Sequence, residues 1–361
     1  MPAGRTEEDP IPGRRIGREL SGQPIARRAW LRRAAGAGLG LGGIAWGATS
    51  GLAQDAPPPR GAAAPQGLAQ DEPKSFPSDD PAEELGRAEA RARQITSRPL
   101  RTVLSAHYQA IGDAAPAFIK LTLSDCEEVA LDYANHFRAK GFDVRPPSRR
   151  LTVIAFEDER PFLRFSENAL PGMAGFYSRK ENWLVLFDFR NAPMLSDASG
   201  QSNRETVTHE ATHQLTFNTG LLERREDIPL CIVEGFGMYS EHRRRSGRSE
   251  PGQVNPRRLK ALALIQRRMR WINLAELLTN DAWFARGEDW RELCYAQSWV
   301  LVYHLMTDRA RLPQLRNYLR AIRGRTGKTH RLEDARAQFG DLDQLDRELR
   351  RVAIRLQQTL G

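Results

Sequence analysis

Cysteine is scarce in this chain: Cys126, Cys231 and Cys294 are too few and too far apart for a disulfide framework, and no Cys-x-x-Cys suggests a zinc knuckle or redox pair. At most one bridge can form, and Cys231 and Cys294, set among apolar residues, read as small buried side chains. Lysine is scarcer still in proportion, with six of the 54 basic residues, so the positive charge is scattered arginine. No basic run is interleaved with stacking aromatics, which argues against a nucleic-acid partner. The formal charge of +9 shrinks to about +5 without residues 1–53, where eight Arg stand against four acids. A long apolar run is missing too: the weakly hydrophobic stretch from Ala34 to Gly51 is rich in Gly and makes a poor membrane span.

What is present suits a globular protein. Hydrophobic residues at 40% and charged residues at 27% are ordinary proportions, and 361 residues can bury enough apolar surface to fold without staples. Gly and Pro, however, crowd into the first hundred positions, so the N-terminal quarter is a separate problem. Ala26-Arg27-Arg28-Ala29-Trp30-Leu31-Arg32-Arg33, followed by the Ala/Gly segment, has the pattern of a twin-arginine export signal over residues 1–53, with a cleavage site after Ala53. That predicts an exported protein, periplasmic or extracellular, which meets a membrane only transiently. Residues 54–98 repeat Gly-Leu-Ala-Gln-Asp at 51–55 and 67–71 and lack apolar periodicity; they are expected to be a flexible linker.

The globular pattern starts near residue 99. Leu100 to Ile111 alternates like one strand, Ser124-Asp125-Cys126-Glu127 has the form of a capping box opening a helix that ends at Gly141, and Leu151 to Phe156 reads as a strand. Ala174 to Tyr177 and Trp183 to Phe189 read as a hairpin. Helical periodicity then takes over at about 203–219, 228–243, 256–270, 291–307, 311–323 and 342–360. Strands first and helices after predict an α+β architecture: a lobe over 99–220 ending in one key helix, and a helical lobe over 221–361 packed across a cleft.

That key helix carries Thr206-Val207-Thr208-His209-Glu210-Ala211-Thr212-His213-Gln214-Leu215, expected to start at Ser202 or Asn203 and stop at Gly220. It is an HExxH motif. At 3.6 residues per turn, His209 and His213 project from one face about one turn apart, so two imidazoles can reach one zinc ion, with Glu210 beside them. Glu210 is the one charged residue besides the histidines between Thr206 and Leu215, as suits a buried helix rather than a surface one. A catalytic zinc needs a third protein ligand and an open position. The metzincin continuation would place Gly and His where Thr216 and Thr219 stand, so the ligand has to come from elsewhere.

After the helix-start signal Asp227-Ile228-Pro229, the segment Leu230 to Tyr239 is almost wholly apolar except for Glu234. An ionised carboxylate buried there without a partner is very costly, and a zinc ion is the partner that the preceding helix implies. Glu223, Glu226 and Asp227, in the polar connection, are the competing candidates.

HEATHQL followed by Pro-x-x-x-x-Glu-Gly-x-x-x-Tyr resembles the gluzincin metallopeptidases, particularly the peptidase-MA-like families of exported proteins, over about residues 100–320. The resemblance implies a zincin-like lobe with a small twisted sheet, Zn2+ on His209, His213 and Glu234, Glu210 as general base, and a peptide or protein substrate. It also implies that Gly175-Phe176-Tyr177 lies near an edge strand that pairs with extended peptides, and that a Tyr or His beyond the ligand helices stabilises the oxyanion. Tyr295 is the candidate for that role, with His304 and Tyr303 behind it. One departure stands out: gluzincins often carry an acid four positions after the ligand Glu, where this chain has Met238, so Glu241 or a backbone carbonyl has to support the ligand His. The alternative function is a zinc-holding domain that binds peptide or cell-envelope material without cleaving it.

Overall fold

The computed structural model describes residues 75–166, 173–191, 199–241 and 250–359. The export signal expected at residues 1–53 therefore lies outside the described residues, as does the first part of the linker. Among the described residues, no helix is long and apolar enough to cross a membrane.

The fold is α+β. It opens with α1 (Pro81–Ile95) and the antiparallel pair β1 (Arg101–Leu104) and β2 (Tyr108–Gly112), followed by α2 (Pro116–Ala139), β3 (Leu151–Phe156) and α3 (Glu159–Ser166). The hairpin β4 (Gly175–Ser178) and β5 (Trp183–Phe187) completes a five-stranded mixed sheet of order β1-β2-β3-β5-β4, in which β2, β3 and β5 run parallel. The rest is helical: α4 (Ser199–Thr216), α5 (Leu230–Ser240), α6 (Pro256–Ile265), α7 (Leu274–Thr279), α8 (Glu288–Thr307), α9 (Arg311–Ala321), α10 (Arg331–Phe339) and α11 (Leu342–Gln358).

Two-residue periodicity divides the sheet's side chains between two cores. Ile154 and Phe156 of β3 join Ala88 and Ala92 of α1 and Phe162 and Phe165 of α3 on one face. Leu151, Val153 and Ala155 point to the other face, where Val207, Ala211 and Leu215 of α4 enter a larger core shared with the helical lobe. Burial on both faces explains why β5 is apolar throughout and why β2 and β3 carry only one polar side chain each, Gln109 and Thr152, which bond each other.

Several expectations need correction. Residues 81–95 of the supposed linker form α1, N-capped by Asp80 and packed on the sheet. Its buried face is made of Ala88, Ala92 and Glu84, the last held by Arg149 and Asn182, so apolar periodicity gave no sign of it. Leu100 to Ile111 is not one strand: the chain reverses at Ser105, where the Glu127 carboxylate takes the Ser105 hydroxyl at 2.6 Å and the His107 N–H at 2.7 Å. Helix α2 starts at Pro116, whose fixed φ suits a first helical position, and it runs straight through the supposed capping box; Asp125 there pairs with Arg204 instead. Asn203 lies inside α4, and its amide binds Phe189 N–H and Asp188 at the end of β5. Beyond that helix the chain does turn at Gly220, at φ +85°.

Candidate metal centre

Helix α4 buries Val207, Ala211 and Leu215 in the large core, which leaves His209 and His213 facing α5. Helix α5 can approach closely because of its two glycines, which lie about 200° apart around the helix axis. A Cβ on Gly235 would sit 2.7 Å from the Ser298 carbonyl oxygen and 2.4 Å from Val302 Cγ2 of α8. A Cβ on Gly237 would sit 2.8 Å from Cε1 of both His209 and His213. The helix is thus clamped between α8 and the two imidazoles, and Glu234 is brought to them.

His209 Nε2 and His213 Nε2 are 3.0 Å apart, and Glu234 Oε2 lies 3.3 Å from the first and 3.5 Å from the second. These separations match ligands around one tetrahedral ion, since bonds of about 2.0–2.1 Å place neighbouring donor atoms roughly 3.3 Å apart. Glu234 Oε2 is buried with no hydrogen-bond partner, an expensive arrangement without a cation between the three donors. The residues therefore fit a divalent metal, and this trio is the one group of its kind among the described residues. The proton equilibria point the same way. Burial opposes charge on His209, but the Glu234 and Glu241 carboxylates beside it outweigh that and push its pKa up to about 10. Burial would likewise raise Glu234, yet His213 and His209 bring it down to about 2. A site that attracts positive charge this strongly suits a metal ion.

Of the competing carboxylates, Glu223 is exposed and the other two are engaged elsewhere. Asp227 receives Arg331 at 2.6 and 2.7 Å, and Glu226 accepts the Gly324 N–H. Met238 is packed in the core, and the support it cannot provide comes from Glu241, at the C-cap of α5, whose Oε1 is 3.0 Å from His209 Nδ1.

Glu210 flanks the ligands. Burial raises its pKa, partly offset by the histidines and by a hydrogen bond from the Tyr177 N–H of β4. Strand β4 is the last in the sheet order and lies against α4, where a Cβ on Gly175 would come within 2.7 Å of Thr206 Cγ2. Tyr295 sits on α8 with the Arg258 guanidinium 5.4 Å from its ring centroid and Phe284 edge-on at 5.8 Å. Its pKa is raised well above normal by burial first and by the Glu234 charge second. Its hydroxyl makes no hydrogen bond among the described residues. The other two candidates point elsewhere: His304 lies 3.5 Å from Glu348 of α11, and the Tyr303 ring packs on Trp299. The three cysteines are free and buried.

Reading the sequence missed the surroundings of Glu241. Asn255 caps α6 by accepting the Arg258 N–H at 3.2 Å, and its amide donates to Glu241 Oε2 at 2.9 Å. Arg257 and Arg258 add contacts to the same carboxylate at 3.2 and 2.8 Å. The string Asn255-Pro256-Arg257-Arg258, a cap with Pro in the first turn and two cations, was a readable signal for a helix N-terminus that holds an anion.

Compared with known proteins, residues 203–325 match the model of a family described as a protein of unknown function (DUF1570). The matched stretch, about a third of the chain, holds His209, Glu210, His213, Glu234, Glu241, Arg258 and Tyr295. No curated protein matches the chain.

Proposed function

We propose that this chain is an exported zinc metallopeptidase of the gluzincin type, with zinc on His209, His213 and Glu234. The observation that carries this reading is the buried, unbonded Glu234 Oε2 facing two imidazole nitrogens, with a second carboxylate, Glu210, beside them. When bound, zinc supplies a Lewis acid and brings the pKa of its water toward neutrality.

The chain's own groups supply the rest. Glu210, held by the Tyr177 N–H, takes a proton from the attacking water at its carboxylate and returns it to the leaving amine. Burial raises its proton affinity, as a general base working near neutral pH requires. The Tyr295 hydroxyl, with no partner among the described residues, donates to the carbonyl oxygen as negative charge develops there. The outer edge of β4, beside Glu210, gives an extended peptide a backbone to pair with. Arg27 and Arg28 direct export by the twin-arginine route.

The test is metal analysis of the purified protein together with cleavage of a random peptide library. We expect about one zinc per chain, cleavage by the wild type, and a Glu210→Gln protein that keeps its zinc and loses cleavage about a hundredfold or more. Zinc-loaded wild type that cleaves no peptide would leave a zinc-holding binding domain as the function.

A further inference from the structure

Outside the ligand trio, the most demanding arrangement in the molecule surrounds Arg258 at the N-terminus of α6. Arg258 is 8% exposed, and three parts of its guanidinium are used at once. One edge faces Glu241, with Nη2 at 2.8 Å from Oε1 and Nε at 3.4 Å from Oε2. The other edge points to Glu292 of α8, with Nη1 at 3.5 Å from Oε2. Its central carbon lies over the Tyr295 ring, 5.4 Å from the centroid. Glu292 and Tyr295 are three residues apart on α8 and so share one side of that helix.

Neutralising Glu241 does not by itself require this geometry. Glu241 already has Arg257 and the Asn255 amide on Oε2 and stands at the positive end of α6. A lysine could supply the remaining charge. What only a planar fork can do is hold two carboxylates by its edges while keeping its cationic centre over an aromatic ring. Because the group is rigid and buried, a rotation that releases Tyr295 also breaks the bonds to Glu241, which orients His209 at 3.0 Å.

We propose that Arg258 is a positioning residue that links the metal-ligand half of the site to its hydroxyl donor, fixing His209 through Glu241 and fixing the Tyr295 ring directly. This rests on the zinc-peptidase reading. Arg258 touches neither substrate nor metal in this role. It makes metal affinity and the placement of the Tyr295 hydroxyl depend on a single side chain.

The test uses Arg258→Lys, which keeps the charge and removes the fork, with Arg258→Met, Glu241→Gln and Tyr295→Phe alongside. Zinc affinity is measured by chelator competition, and the visible spectrum is recorded after cobalt(II) substitution. We expect Arg258→Lys and Glu241→Gln to weaken zinc binding about tenfold to a hundredfold, as loss of an outer partner of a metal-bound imidazole does, and to alter the cobalt spectrum. Tyr295→Phe should leave both unchanged. In peptide hydrolysis by zinc-saturated protein, Arg258→Lys should lower kcat with KM little changed. Combined with Tyr295→Phe it should cost less than the sum of the single effects, because a displaced ring has already lost its hydroxyl's position.

Unchanged zinc affinity and cobalt spectrum in both Arg258 variants, with only a lower melting temperature, would make Arg258 a structural tie and overturn the proposal. Fully additive kcat losses would overturn the link to Tyr295. If Arg258→Met does not fold, Arg258→Lys still decides both points. Failure of the underlying reading is a separate result: wild-type protein that binds neither zinc nor cobalt.

Discussion

Helix α5 lies between two buried clusters of charge that are alike in depth and opposite in completeness. At its N-terminal entry, Asp227 and Asp281 meet Arg331, all three no more than 6% exposed. Asp227 takes Arg331 at 2.6 and 2.7 Å, while Asp281 takes Arg331 at 2.8 Å, the Leu230 N–H at 3.0 Å and Lys328 at 3.1 Å. At the middle of the helix, Glu234 is just as buried, yet its Oε2, facing two imidazole nitrogens, has no hydrogen-bond partner. Burial does not distinguish the two clusters; hydrogen-bond completeness does. A closed cluster can only hold the fold together, here by pinning the start of α5 to α10. An open one keeps unspent binding capacity, and that is what a metal site needs.

The largest expected effect comes from breaking the closed cluster. Arg331→Met leaves two buried aspartates without their guanidinium, and removing one partner of a buried ion pair costs about 3–5 kcal/mol of stability. Urea unfolding of the metal-free protein reads this directly. A loss below about 1 kcal/mol would mean that the aspartates find other partners or water. The folded fraction of this variant should still bind zinc as tightly as wild type.

In the open cluster, the next effect falls on turnover. Tyr295→Phe removes one oxygen and keeps the ring against Arg258 and Phe284, so zinc content and melting temperature should hold. Losing one donor to the developing oxyanion costs about 3 kcal/mol, or about a hundredfold in kcat. An unaltered kcat would assign Tyr295 to packing alone.

Slightly smaller is the effect of the metal itself. Zinc at about a hundred times its dissociation constant should stabilise the wild type by about 2.7 kcal/mol, since it binds only the folded chain. Glu234→Gln should abolish this rise in melting temperature, whereas Arg331→Met should keep it from a lower baseline. Equal zinc stabilisation of Glu234→Gln and wild type would remove Glu234 from the ligand set.

The open cluster was legible in the sequence and the closed one was not, for a physical reason. A helix fixes the spacing of His209 and His213, and one carboxylate in an apolar run cannot be ignored, so local rules reach Glu210 and Glu234. Strand β3 and the hairpin at Ser178 to Asn182 were readable on similar grounds, because periodicity and turn chemistry are local. Arg331 meets Asp227 across more than a hundred positions, and nothing near either residue announces the other. Helix α1 was hidden because its buried face is alanine and a paired glutamate rather than large apolar side chains. Glu241 was one of two possibilities in place of Met238, but its bond to His209 depends on where α6 brings Asn255, Arg257 and Arg258.

The smallest expected effect contrasts wild type and Arg331→Met in acid. Burial by itself would raise the pKa of Asp281, but Arg331, with help from Lys328 and the Leu230 N–H, holds it below the ordinary aspartate value of 3.8. A group whose folded pKa is depressed contributes stability that is complete above its unfolded pKa and is lost as pH falls through the folded value. Arg331 is the strongest of the partners that lower this pKa, so without it the variant's Asp281 accepts its proton at higher pH and has less to lose below it. The stability gap between the two proteins should therefore narrow as pH falls, from the variant's higher Asp281 pKa down through the wild type's depressed one. The Asp281 proton contributes at most about 1.4 kcal/mol of this narrowing per pH unit. Urea midpoints at half-unit steps, taken with a chelator present so that the metal centre stays silent, measure the gap. Carboxylates that do not contact Arg331 titrate in both proteins and cancel. A gap that stays constant or widens through that range would show that Arg331 holds Asp281 through shape rather than charge, and the closed cluster would then owe its stability to packing.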